Sequence, residues 1–90
     1  MNRRDEWRTI LDAEMRTWSA KTCDQLISEL HEVQCYEVRF DSKVYQVEVQ
    51  LLEDTDTYVH VMIAVDDGTL PASFRPLTGT FVRDKPPPQE

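Results

Sequence analysis

Apolar residues in the first third of the chain recur every three or four positions. Trp7, Ile10, Leu11, Met15 and Trp18 fall on one side of a helix at this spacing. Thr22-Cys23-Asp24-Gln25 then has the form of a capping box: the threonine oxygen accepts from the N3 amide while Gln25 reaches back to the cap. Leu26, Ile27, Leu30 and Val33 continue as a second apolar stripe. Neither Gly nor Pro interrupts residues 1–33, so one long bent helix is the alternative, but the capping box favours two.

At Gln34 the period changes from 3.6 to 2, and the apolar residues become β-branched and aromatic, which predicts strands. Tyr36, Val38 and Phe40 share one face; after Asp41-Ser42 they are followed by Tyr45, Val47, Val49 and Leu51. Beyond the polar turn Asp54-Thr55-Asp56, Val59, Val61, Ile63 and Val65 form the third apolar row. Centring that turn on Thr55 pairs Leu51 with Val59, Val49 with Val61 and Val47 with Ile63, so apolar meets apolar throughout. Asp66-Asp67-Gly68 signals another turn, and Pro71 and Pro76 make Leu70–Leu77 a loop with at most short edge pairing around Ser73-Phe74. Thr78–Arg83 reads as a short fourth strand, and the Pro-rich residues 84–90 as a disordered tail.

These elements predict an α+β fold in which an N-terminal helix or helix pair packs on one face of a three- to four-stranded antiparallel β-meander. A single domain spans 1–83, helical over 4–33 and meander over 35–83. Its expected core is Trp7, Leu11, Trp18, Leu26, Leu30, Tyr36, Val38, Val47, Val49, Val61, Ile63 and Phe81.

Composition narrows the function classes. The chain has 90 residues and a net charge of −7. That balance argues against nucleic acid, whose phosphates require clustered cations. The longest apolar-rich run, Val59–Val65, is far short of the roughly 20 residues that span a bilayer. Arg3-Arg4 is followed at once by Asp5 and Glu6 rather than by the apolar stretch of an export signal. Cys23 and Cys35 lack CxxC spacing, so the sequence reads as a reduced, cytoplasmic protein.

Recognisable chemistry is sparse. Gly68 and Gly79 cannot build a phosphate-cradling loop, and the acidic runs Glu53-Asp54-Thr55-Asp56 and Asp66-Asp67 do not match a calcium loop. Cys35 has no neighbouring cation to stabilise a thiolate. In the expected register Glu48 and His60 are diagonal neighbours on the sheet face away from the helices. A carboxylate beside an imidazole supports acid–base chemistry, and Glu37 nearby suggests a metal ligand. An open sheet lacks the water-excluding pocket that catalysis needs, so no enzyme activity, cofactor or metal is expected.

What remains is interaction. Glu37, Glu48, Gln50, Tyr58, His60 and Met62 form the candidate surface of a non-catalytic protein-binding or regulatory module. Its partner would be another protein, such as a basic one attracted by the acidic face, or a second copy meeting an unprotected sheet edge or the outer apolar residues Val44, Leu52, Tyr58 and Met62. Two alternatives stand beside this reading. One is a small-ligand pocket between helices and sheet lined by Trp7, Trp18, Tyr45 and Phe74; the other is a weak acid–base enzyme using Glu48 and His60.

Overall fold

The structure, a computed structural model, describes residues 3–67 and 77–87. Helix α1 (Arg3–Ser19) carries the predicted stripe, with Trp7, Ile10, Leu11 and Trp18 buried and Met15 packed at its margin. Asp5 and Glu6 in its first turn and Arg16 in its last oppose the helix dipole. Helix α2 (Cys23–Glu29) starts at the predicted capping box: the Gln25 amide donates to Thr22 Oγ1 at 3.1 Å, and the Thr22 amide donates to Gln25 Oε1 at 2.9 Å. The chain therefore breaks into two helices, because that cap satisfies the orphan amides of a new helix start.

Four strands follow in an antiparallel meander: β1 (Gln34–Phe40), β2 (Lys43–Asp54), β3 (Tyr58–Asp66) and β4 (Leu77–Asp84), ordered β1-β2-β3-β4. Both helices lie on one face, α1 against β3 and β4 and α2 against β2 and β3. The β1–β2 hairpin closes in two residues, Asp41 (φ 49) and Ser42 (φ 69), between the pair Phe40 and Lys43. Positive φ at both central positions is the geometry of a type I′ turn, whose twist matches that of the strands.

The β2–β3 register differs from expectation by two residues. Leu51 pairs with Val61, Val49 with Ile63 and Val47 with Val65. The hairpin axis moves because the turn spans Thr55 to Tyr58 rather than centring on Thr55: the Thr55 amide donates to the Tyr58 carbonyl at 2.9 Å, and Thr55 Oγ1 accepts from the Tyr58 amide at 3.1 Å. A bulge between Leu51 and Glu53 absorbs the remaining mismatch. A shift of two preserves which side chains face the core, so the apolar pairing survives.

The core unites Trp7, Ile10, Leu11, Trp18, Cys23, Leu26 and Leu30 with Tyr45, Val47, Val49, Val59, Val61, Ile63 and Val65. Tyr36, Val38 and Phe81, expected inside, are half-buried because β1 and β4 are the sheet edges. Tyr45, Val59 and Val65 on the two central strands are more deeply buried. The fourth strand extends through Asp84, and Lys85 of the expected tail is anchored. Its amide donates to the Thr57 carbonyl at 2.8 Å, and its Nζ to Asp54 Oδ1 at 2.6 Å. The expected turn at Gly68, the pairing at Ser73-Phe74 and the tail residues 88–90 lie outside the described residues. The body measures 51 × 24 × 16 Å with a radius of gyration of 14.6 Å, against about 12 Å for a compact domain of this length. Among the described residues it is two layers thick, with helices on one side of the sheet only.

Candidate functional site

The sheet face turned away from the helices is built by strand alternation. On β3 it presents Tyr58, His60, Met62 and Ala64, and across the sheet Met62 lies between Gln50 and Thr80, Ala64 between Glu48 and Thr78, and His60 between Glu53 and Val82. Ala64 is buried, and Tyr58, His60 and Met62 are half-buried, although among the described residues no helix packs on this face. Leu52 at the bulge and Val82 on β4 are 40% and 54% exposed, which leaves apolar surface in water beside this row.

Carboxylates surround it. Glu37, Glu48, Glu53, Asp66 and Asp84 share the face, with Arg39 as its fixed cation among the described residues. The Gln46 amide nitrogen donates to Glu37 Oε2 at 3.2 Å, and Cys35 Sγ lies 3.9 Å from Glu48 Oε1.

The structure does not bring Glu48 and His60 together. With the observed register Glu48 stands opposite Ala64, four residues along β3 from His60, or about 13 Å at the strand rise. The bulge turns Glu53 onto the outer face instead, where its Oε1 lies 3.4 Å from His60 Nδ1 and its Oε2 accepts from the Tyr58 hydroxyl at 3.2 Å. The hydrogen bond to this carboxylate, reinforced by its charge, holds the Tyr58 phenol above its ordinary pKa. Sequence reasoning had no signal for Glu53, since a bulge is not encoded in the alternation that precedes it. The Tyr58–Glu53–His60 cluster presents donors, acceptors and ring faces on an open surface, the chemistry of a contact patch. Among the described residues, no group of three or more His, Cys, Asp or Glu side chains is placed to hold a metal ion.

On the helix side, Trp7, Trp18 and Tyr45, expected to line a ligand pocket, are packed into the core, while Phe74 lies outside the described residues. Two carboxylates, unread in the sequence, reach into this interface from α1. Glu6 is only 7% exposed; its Oε2 accepts from the Tyr45 hydroxyl at 2.7 Å and from Lys43 Nζ at 3.2 Å. The tyrosine hydrogen bond, then that of the lysine, holds its pKa below the usual carboxylate value. Two turns on, Glu14 Oε1 accepts from the Tyr36 hydroxyl at 2.5 Å, and Tyr36 accepts from Trp18 Nε1 at 2.8 Å. Spacing alone did not single them out: Glu6 and Glu14 stand four residues before Ile10 and Trp18, which sets each beside the apolar stripe without indicating the tyrosine that meets it.

No described helix is long and apolar enough to cross a membrane. Compared with known proteins, the chain matches no family model, no curated sequence and no solved structure.

Proposed function

We propose that this chain is a non-catalytic protein-binding module that docks a basic partner protein on the outer face of its sheet. The observation that carries the reading is the half-buried row Tyr58, His60 and Met62, flanked by exposed Leu52 and Val82 and rimmed by Glu37, Glu48, Glu53, Asp66 and Asp84. An apolar and aromatic centre supplies contact energy once desolvated, while a rim of one sign steers an oppositely charged partner and rejects acidic competitors. The net charge of −7 extends the same field over the whole molecule. The free thiols of Cys23 and Cys35 suit a reducing compartment, which supports a cytoplasmic site of action.

Native mass spectrometry of tagged protein taken gently from its own cells tests the reading. A basic polypeptide at fixed stoichiometry is expected, lost in Met62→Asp and weakened at least tenfold in Glu48→Lys. Asp12→Lys, an equal charge change on the exposed side of α1, leaves it bound. Retention of the partner by both outer-face variants, or binding indifferent to salt, would sink the proposal.

A further inference from the structure

The two edges of the sheet are not equivalent. In an antiparallel ladder, successive residues direct their N–H and C=O alternately toward one neighbour and away from it. The bond from the Lys85 amide to the Thr57 carbonyl continues the β3–β4 register and fixes the phase of β4. Leu77, Gly79, Phe81 and Arg83 therefore bond to β3, while Thr78, Thr80, Val82 and Asp84 turn their backbone groups to the open edge. The Asp84 carbonyl lies 3.4 Å from the Cys23 thiol, which caps it. Thr78, Thr80 and Val82 remain, β-branched and exposed, on an unbroken eight-residue ladder without proline or bulge.

At the other edge, the two-residue turn after Phe40 sets the phase of β1 in the same way, so that Cys35, Glu37 and Arg39 face outward. Charged side chains at two of these three positions blunt that edge. Among the described residues, Thr78, Thr80 and Val82 on the β4 edge have no such protection.

We infer that β4 is the seam of a homodimer, pairing antiparallel with β4 of a second copy about a twofold axis at Thr80. This register is the one that joins all three outward residues in bonded pairs: Thr80 meets its counterpart, and Thr78 meets Val82 of the second copy on both sides of the axis. On the helix face Gly79, already covered by Leu11 and Met15 of its own α1, then lies opposite Phe81 of the second copy, so no two large side chains meet beside the axis. Charge selects the occupant. A chain of net charge −7 repels its own copies over most of its surface, yet Leu77 through Val82 carries no charge, so within β4 (Leu77–Asp84) no like charges oppose across the axis. The seam consists of β4 backbone and stands independently of docking on the outer face.

Sedimentation equilibrium of the full chain, with residue-resolved amide exchange at low and high concentration, tests the seam. The wild type is expected at about twice 10.6 kDa, with exchange at Thr78, Thr80 and Val82 slowing as concentration rises. Thr80→Pro removes an outward N–H that β3 does not use, and Thr80→Lys places like charges on the axis. Each is expected to weaken dimerisation at least tenfold with an unchanged far-UV spectrum; the lysine variant keeps the test decisive if the proline disturbs folding. A 10.6 kDa species at every concentration, a dimer equally tight in both variants, or protection arising at β1 instead would overturn the inference. So would a monomer that takes up an unrelated extended peptide along β4.

Discussion

Glu6 sits almost out of water in the first turn of α1, clasped by the Tyr45 hydroxyl and the Lys43 ammonium from β2. Its depressed pKa means that the folded state favours the ionised form. The resulting stability is present above the ordinary carboxylate value of about 4.3 and is lost as pH falls through the lower folded value. Tyr45→Phe deletes the hydrogen bond to the Glu6 carboxylate and is expected to lower the urea unfolding midpoint at pH 7, with a smaller acid-side loss than the wild type. Tyr36 acts at the other end of the scale. Burial, then its hydrogen bond to Glu14, raises the phenol's pKa, so the fold favours the neutral ring. Stability from this group holds below pH of about 10 and declines above it, where the unfolded chain ionises first. Tyr36→Phe should abolish that alkaline decline while costing about 1–3 kcal/mol at neutral pH, because Trp18 Nε1 and Glu14 lose their shared partner. Neither clasp was legible in the sequence. A carboxylate beside an apolar stripe reads as solvent-facing until the tyrosines on the opposite layer are placed.

At the scale of the element, the β1–β2 turn holds Asp41 and Ser42 at positive φ, which costs residues with a Cβ about 1–2 kcal/mol each. The double change Asp41→Asn and Ser42→Gly supplies the residues this turn favours and should raise stability by about 1 kcal/mol in chemical denaturation. Gly79 on β4 faces α1, and a Cβ there would stand 3.4 Å from Leu11 Cδ2 and from Met15 Sδ. Gly79→Ala should therefore be accepted, with a gain of about 0.4–1 kcal/mol from the stiffer unfolded chain, whereas the larger Gly79→Val should lower the melting temperature by pushing into both side chains. Helices, strands and their inward faces were legible because period and capping are local properties: Thr22 and Gln25 announce α2 by themselves. Register was not. It depends on where the Thr55–Tyr58 turn closes and on the bulge beside Leu52, and moving by two residues leaves the hydrophobic pattern unchanged. The pair at the candidate site depends on that register, so Glu53 rather than Glu48 meets His60.

For the whole molecule, a single helical layer over a 16 Å thick body leaves one core and no reserve. A domain of this length has a total stability of about 5–13 kcal/mol, so Leu11→Ala, a truncation at 2% exposure, is expected to cost about 2–5 kcal/mol and to leave a protein partly unfolded at modest denaturant. The half-buried state of Tyr36, Val38 and Phe81 reflects the same economy: strand identity can be read from sequence, but which strands become edges is a property of the assembled sheet. The seat of Leu11 and Met15 over Gly79 also carries a consequence in time. The meander can grow hairpin by hairpin between neighbours in the chain, but α1 docks on β3 and on β4, the strand made last. About 68 positions separate Leu11 from Gly79, which at a translation rate of roughly 5–20 residues per second is about 3–14 s. Throughout that interval the nascent helix lacks the β4 part of its seat, so Leu11 and Met15 reach their final packing only once the last strand has emerged.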